Sequence, residues 1–191
     1  MSALIVRAMS GDTVADLVLG QADFTHGNAN FIDGHGFSTP ESVAIDKSAA
    51  INRLYVADFD NSRVLGYKDV TTFINGGPAD LVIGQPDFIS STCNNGGLNP
   101  GANTLCNAFA VATDASGNLY VADQGNSRVL EYTSPFAACA GFPCVGGSAN
   151  LVFGQGGSFT TGTCNSDTFA NPTAIDLCTP FGVAVDASGN V

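Results

Sequence analysis

The sequence predicts an all-β protein assembled from repeats of a four-stranded antiparallel unit, and three observations support this class. First, residues 42–67 (SVAIDKSAAINRLYVADFDNSRVLGY) recur almost position for position at residues 110–132 (AVATDASGNLYVADQGNSRVLEY). Second, Asp accounts for 15 of the 17 acidic residues, which favours turns and caps over helices. Third, no segment holds an apolar period of 3.6 residues long enough for a helix.

Each strand is predicted from a run of about five residues that is rich in Val, Ile, Leu and Tyr and bounded by turn residues. The predicted first strands are 42–46, 110–114 and 182–186; the second strands are 53–58 and 118–123; the third strands are 3–9, 63–67 and 128–132; and the fourth strands are 15–21, 79–85 and 149–155. Between the first two strands of the second unit, Gly117 supplies the positive φ that a tight hairpin needs.

Four strands repeated at about 65–70 residues are typical of the blade of a β-propeller. We therefore expect residues 1–191 to form an incomplete, open propeller segment. The expected parts are the end of a preceding blade at 1–21, complete blades at 42–85 and 110–155, and the start of a further blade at 182–191. Because a propeller closes at about four to eight blades, this organisation predicts a piece of a longer chain.

The repeated residues resemble a known family. The stretch from Leu119 to Tyr132, together with residues 181–186 (FGVAVD), is similar to NHL repeats, and the resemblance covers nearly all of the chain apart from inserted loops. It implies a propeller that is six-bladed when complete, within a longer secreted NHL-repeat protein of bacterial type. NHL propellers serve unrelated purposes, so the resemblance predicts a fold and not an activity.

The six cysteines are predicted to form three local disulfides. The expected pairs are Cys93–Cys106, Cys139–Cys144 and Cys164–Cys178. Cys106 and Cys178 each stand eight residues before the Asp that ends a first strand, so they occupy equivalent positions. Free thiols and a thiolate metal site are the alternatives, but CxxC spacing, which is usual in zinc sites, does not occur. Disulfides predict an oxidising location, whether extracellular, cell-surface or periplasmic.

A binding surface is predicted where the inter-blade loops emerge. Residues 22–41, 86–109 and 156–181 would share one face with the turns 59–61 and 124–126, and loops on a rigid scaffold usually carry binding residues. The candidate partner-binding residues on this face are acidic: Asp23, Asp33, Asp60, Asp87, Asp167 and Asp176. The leading hypothesis is a non-catalytic extracellular binding or sensing scaffold for a protein, small-molecule or carbohydrate ligand.

The alternative hypothesis is a metal-dependent propeller hydrolase or lyase whose active site is completed by other blades. Similar propellers use metal ions held by His, Glu, Asn or Asp near the central axis. Here the only histidines are His26 and His35, and a zinc site needs three or four converging ligands. No nucleophile elbow, HExxH, phosphate loop or dinucleotide fingerprint occurs, so no catalytic residue or cofactor is predicted. Bound calcium or zinc is expected only if the full propeller is an enzyme.

Charge and hydropathy exclude two further classes of partner. Six basic residues against 17 acidic ones give a net charge of −11, which disfavours nucleic acid. No run of about 18 apolar residues occurs, so no transmembrane helix is predicted.

Several residues that could suggest chemistry recur in every unit, and we interpret them as structural. Asp58 with Arg63, and Asp123 with Arg128, are predicted to hold the turns between second and third strands. The Gln residues at 21, 85 and 155 are followed by Phe24, Phe88 and Phe159. We predict that these Gln side chains satisfy backbone groups while the Phe rings pack between blades, with a repeated sugar- or peptide-binding platform as the alternative.

Overall fold

The protein is all-β in the computed structural model, which describes residues 13–27, 32–167 and 171–191. Two sheets contain the strands of this part of the chain, and short 3-10 turns are the helical elements found there. The first sheet consists of β1 (Pro40–Asp46), β2 (Arg53–Asp58), β3 (Arg63–Tyr67), β4 (Leu81–Ile83) and β8 (Cys144–Val145), in that order. The second consists of β5 (Ala108–Thr113), β6 (Leu119–Asp123), β7 (Arg128–Tyr132) and β9 (Leu151–Phe153).

The two units share the same antiparallel meander, because the same residue pattern sets the same register. Leu54 faces Tyr67 across β2 and β3, and Leu119 faces Tyr132 at the equivalent place in the second sheet. Both first strands shift register at their start, between Pro40 and Ser42 and between Ala108 and Ala110. The predicted strands of the two complete units are therefore confirmed.

The main core lies between the two sheets. Side chains of the first sheet, including Tyr55, Leu81 and Ile83, pack against Val121 and Leu130 of the second, and all of these are buried. The alternation of side chains along each strand directs one set to this interface and the other set to the opposite face. The two units consequently stack face to face and cover each other's apolar surface.

The incomplete repeats at both ends differ from the prediction. Within the predicted strand 15–21, Gly20 forms a single isolated bridge to Gly36, and residues 182–186 form no strand. A strand needs a neighbouring strand that pairs with it over several residues, and the described residues supply no such ladder for these two segments. Val183 and Val185 nevertheless pack against the second sheet, as apolar first-strand residues should. The predicted third strand at 3–9 lies outside the described residues.

An additional strand, β8, belongs to an insertion between β7 and β9 and was not predicted. It runs parallel to β4, with Leu81 opposite Cys144 and Val82 opposite Val145. The Cys144 amide donates to the Asp80 carbonyl at 2.8 Å, and the Gly146 amide donates to the Val82 carbonyl at 2.7 Å. A segment of the second unit thus extends the sheet of the first. Among the described residues, no helix has the length and apolar character needed to cross a bilayer.

Candidate functional site

The described parts of the predicted loops and turns contact one another, and together we call them the loop surface: residues 22–27, 32–41, 86–109, 156–167 and 171–181 with the turns 59–61 and 124–126. The Asp60 amide donates to the Ser38 carbonyl at 3.2 Å, which joins the first loop to the first turn. The side-chain amide of Asn94 donates to that of Asn126 at 2.9 Å, which joins the second loop to the second turn. In each of the two units, a hydrogen bond therefore joins a loop of the loop surface to a turn.

A buried arginine organises the loop surface in the first unit. The Arg63 guanidinium is fully buried, and its Nε donates to Asp58 Oδ2 at 2.7 Å. Its Nη1 donates to the Phe88 carbonyl at 2.6 Å, and its Nη2 donates to the carbonyls of Asp33 and Gly36 at 2.9 and 3.0 Å. A single side chain therefore anchors the two loops on either side of its unit.

The second unit repeats this arrangement atom for atom. Arg128 is fully buried, and its Nε donates to Asp123 Oδ2 at 2.8 Å. Its Nη1 donates to the Phe159 carbonyl at 2.6 Å, and its Nη2 donates to the carbonyls of Gly101 and Thr104, both at 3.0 Å. We call each Asp–Arg pair with these contacts an arginine node. The prediction that these pairs are structural is confirmed.

The carboxylates of the nodes have protein partners on both oxygens. Asp123 Oδ1 accepts from the Cys106 amide at 2.7 Å, and Oδ2 accepts from Asn126 as well as Arg128. Burial raises the pKa of Asp123, while Arg128 and the other donors oppose the shift. Burial likewise raises the pKa of Asp58, against Asn61, Ser38 and Arg63. Buried and enclosed by their own donors, these groups serve the fold and offer no position to a ligand.

Two of the three repeated glutamines, Gln85 and Gln155, bind backbone groups as predicted. Gln85 Nε2 donates to the carbonyls of Ser62 at 2.9 Å and Thr92 at 3.0 Å, and it is buried. Gln155 makes the equivalent bond to Ser127 at 2.7 Å. Two of the following rings, Phe88 and Phe159, pack against apolar core clusters. The third ring, Phe24, is more than half exposed and differs from the packing prediction.

The predicted acidic residues of the first loop accept hydrogen bonds within their own turns. Asp23 Oδ1 accepts from the amide and hydroxyl of Thr25 at 2.8 and 2.6 Å and from His26 Nδ1 at 2.7 Å. The Thr25 hydroxyl and His26 hold the pKa of Asp23 far below its usual range. Asp33 Oδ1 accepts from the His35 amide at 2.7 Å. These side chains are Asx-turn acceptors that remain partly exposed.

The remaining predicted acids follow the same local pattern. Asp60 accepts from the hydroxyls of Ser38 and Thr39, and Asp87 accepts from the Ile89 amide at 3.0 Å. Hydrogen bonds from Ser90 and Ile89 lower the pKa of Asp87 despite some desolvation. Asp176 accepts from Thr173 at 2.8 Å, and the side chain of Asp167 lies outside the described part. In the described part, no three His, Cys, Asp or Glu side chains converge as a metal site would require.

All three predicted disulfides are present. Cys93–Cys106 and Cys164–Cys178 close equivalent loops of the loop surface, with Cα–Cα distances of 4.3 and 4.4 Å. Cys139–Cys144 closes the insertion that carries β8, with a Cα–Cα distance of 6.0 Å. The described chain has no free cysteine.

Sequence reasoning missed the exposed apolar side chains of the loop surface. Leu98 is 100% exposed, and Ile89, Ile175 and Phe181 are each more than 60% exposed. Apolar residues inside Gly- and Asn-rich loops are the signal that could have identified them. Phe181 also ends a row of three rings, with edge-to-face contacts to Phe109 at 5.0 Å and from Phe109 to Phe59 at 5.7 Å.

Comparison of the chain with models of known families gives no match, and none of the curated proteins matches it.

Proposed function

We propose that this chain is part of an NHL-type β-propeller that acts as a non-catalytic binding scaffold, and that the loop surface contacts the partner. One observation carries the proposal: the loops are held by buried arginine nodes and disulfides, yet their tips expose apolar side chains. Two sheets of identical meander topology, stacked face to face, support the propeller part of the proposal.

The anchored loops favour binding because little conformational freedom remains to be lost. Each arginine node fixes backbone carbonyls of two loops, and the disulfides fix the cysteine-bearing loops a second time. Preorganised loops bind more tightly, since the entropy of ordering them is already lost on folding. This is the arrangement expected of a recognition surface on a rigid scaffold.

The chemistry of the exposed tips indicates the class of partner. Leu98, Ile89 and the ring of Phe181 offer apolar contact area, and aromatic and apolar anchors dominate the centres of protein interfaces. On the same loop surface, Asp60 and Asp87 contribute negative charge to a chain that is already strongly acidic. We therefore propose a protein partner with an apolar patch bordered by basic residues, which electrostatic attraction would steer toward this face. The disulfides support an oxidising compartment as the place of contact.

A peptide-display selection on the immobilised protein tests the proposal. We expect selected peptides to combine apolar and basic residues and to lose at least about tenfold in affinity for the double variant Ile89→Ser/Leu98→Ser. The control is Ile74→Ser, because Ile74 is 64% exposed, close to the 71% of Ile89, but lies outside the loop surface, after β3. If the control variant weakens the selected peptides as much as the double variant does, the loop surface is not the binding site.

A further inference from the structure

The insertion between β7 and β9 reaches back onto the first sheet, and we call its residues 135–146 the clasp. Phe136 is buried and packs against Tyr55 with 5.4 Å between ring centroids. Beyond Phe136, the chain passes through the Cys139–Cys144 disulfide and pairs with β4 as the two-residue strand β8. The clasp thus covers the outer edge of the first sheet with a segment of the neighbouring unit.

The hydrogen bonds of β8 alone are too weak to hold this strand in a fixed position. The strand donates from the Cys144 and Gly146 amides to β4, while Phe142 and Val145 remain 43% and 49% exposed. Fixing one residue's backbone costs about as much free energy as one net hydrogen bond contributes, and this segment orders several residues for two such bonds. Side-chain contacts add to these bonds: the Phe142 ring lies 6.0 Å from that of Phe136 and 4.6 Å from the Lys68 ammonium, and Cys139 and Cys144 pack against the main core. The disulfide keeps these groups together, since it shortens the loop between buried Phe136 and the strand.

The other two disulfides differ in this respect, because their loops have independent anchors. The Cys106 amide donates to buried Asp123 at 2.7 Å, and the Gly125 amide donates to the Cys106 carbonyl at 2.9 Å. Gln155 holds the Thr163 carbonyl at 2.9 Å in the third loop. Cleavage of either bond would leave these contacts in place.

The clasp disulfide is also approachable from solvent. Residues 140–143, which lie between its two cysteines, are all exposed, and no other part of the described chain lies within 4 Å of the position a Gly141 side chain would take. Cys139 and Cys144 themselves are partly buried against the main core, so a thiol reagent approaches the bond from this exposed side without prior unfolding of either sheet.

We propose that the Cys139–Cys144 disulfide is a redox latch that controls access to the outer edge of β4. A thiolate of a dithiol reductant attacks one cystine sulfur, forms a mixed disulfide and releases the other cysteine as a thiolate. The second thiol of the reductant then displaces the first cysteine, so that the reductant leaves as its own disulfide and two electrons reduce the cystine. Once reduced, β8 detaches, and the carbonyls of Asp80 and Val82 lose their partners.

Amide hydrogen exchange of the whole protein, before and after treatment with dithiothreitol, tests the latch. Alkylation and mass spectrometry identify which cysteines are reduced. We expect protection of the Cys144 and Gly146 amides to fall at least about tenfold when Cys139–Cys144 is reduced, with the Asn94 and Gly125 amides unchanged. The variant Cys139→Ser/Cys144→Ser should show the same loss without reductant, whereas Cys164→Ser/Cys178→Ser should retain protection at Cys144 and Gly146.

Unchanged protection at Cys144 and Gly146 in protein shown to be reduced at Cys139–Cys144 would overturn the proposal. Loss of protection that spreads to Gly125 would overturn it as well, because β8 would then unfold only together with the second sheet. Wild-type protein supplies both measurements, so the outcome does not depend on the folding of a variant.

Discussion

The two units anchor the same loop position by different means. In the first unit, Asp60 accepts hydrogen bonds from the hydroxyls of Ser38 and Thr39. In the second, the position of Asp60 is taken by Gly125, and the position of Ser38 is taken by Cys106, which is cross-linked to another part of its loop. The backbone bond beneath is common to both, from Asp60 to Ser38 at 3.2 Å and from Gly125 to Cys106 at 2.9 Å.

The difference shows that a covalent and a hydrogen-bonded anchor exclude each other at this position. A Cβ atom on Gly125 would lie 2.6 Å from the Cys106 sulfur and 2.9 Å from the Cys106 carbonyl oxygen, so the disulfide sulfur is the nearest of the atoms that leave no room for a side chain. Where the cysteine is absent, Asp60 fills the space and provides the acceptor. Both units keep the same arginine node, so the node is the part of this loop anchor that does not differ between them.

We therefore expect the largest loss of stability when an arginine node is disrupted. Arg128→Met leaves Asp123 buried without its cation, and we expect the free energy of unfolding to fall by about 3–5 kcal/mol in urea denaturation. Arg63→Met should cost the same within about 1 kcal/mol, because its contacts are equivalent.

Lys68→Met is the control for both arginine variants. Its ammonium lies 3.1 Å from Asp80 and both side chains are partly exposed, so the loss should stay below about 1 kcal/mol. A loss as large as that of Arg128→Met would show that burial of the node is not what matters.

The next effect concerns the covalent anchor. Removing the cross-link with Cys93→Ser/Cys106→Ser should lower the free energy of unfolding by about 3 kcal/mol, since the unfolded chain regains the freedom of a loop with a sequence separation of 13 residues. The native loop should keep its hydrogen bonds to Asp123, visible as retained protection of the Cys106-position amide. A loss below about 1 kcal/mol would mean that the second unit relies on hydrogen bonds as fully as the first.

A smaller effect tests the steric coupling directly. Gly125→Ala places a methyl group against the Cys106 sulfur, and overpacking of this kind typically costs about 1–3 kcal/mol. The part of that cost due to the sulfur should disappear when Gly125→Ala is combined with Cys93→Ser/Cys106→Ser, which gives a favourable coupling energy in a double-mutant cycle, while the approach to the carbonyl oxygen of residue 106 remains. Additive losses would contradict the proposed incompatibility between the disulfide and a side chain at this turn.

The hydrogen-bonded anchor should be weaker than the covalent one. Asp60→Ala removes an exposed carboxylate that accepts from Ser38 and Thr39, and we expect a loss of about 1 kcal/mol in the free energy of unfolding. Asp87→Ala, measured by thermal denaturation under the same conditions, is the comparison. Asp87 accepts from the Ile89 amide within a single turn. If Asp60→Ala costs as much as removal of the Cys93–Cys106 bond, the two anchors are equally strong.

The strands of both complete units could be predicted because the alternating apolar runs and turn residues that form them are local in the sequence. Segments 15–21 and 182–186 carry the same pattern but form no strand among the described residues, since pairing depends on a neighbour that local sequence does not specify. β8 could not be predicted, because two residues carry no period and their partner, β4, lies about 60 residues away.

The candidate site was predicted less well than the strands. An Asp in a loop can accept hydrogen bonds within its turn or bind a ligand. Asp23 and Asp33 accept hydrogen bonds within their turns. Whether they also bind a partner stays a prediction. The arginine nodes were recognisable as a repeated pair, but their bonds to carbonyls 24 to 31 residues away arise only from the fold.

The smallest expected change in stability concerns a tyrosine whose hydroxyl has different surroundings in the two units. Tyr55 and Tyr120 are equivalent residues, but the Tyr120 hydroxyl donates to Asp114 at 3.3 Å, whereas the buried Tyr55 hydroxyl has no hydrogen-bond partner in the described chain. Tyr120→Phe should cost about 0.5–1 kcal/mol, and Tyr55→Phe should be neutral or slightly stabilising because it removes an unsatisfied group. Equal losses for the two variants would contradict this difference.

Alkaline pH provides an independent measurement of the same two tyrosines. Burial raises the pKa of Tyr120 to about 12 and raises the pKa of Tyr55 further. A folded-state pKa above the ordinary value of about 10 means that the folded protein retains a proton that the unfolded chain loses. Their contribution to stability is therefore complete below about pH 10 and is lost as the pH rises toward the folded-state values. Burial raises the pKa of the other two tyrosines, Tyr67 and Tyr132, as well, so tyrosinate absorbance should appear together with unfolding. If it develops fully at pH 10 in folded protein, the hydroxyls are accessible to water and their burial does not contribute to stability.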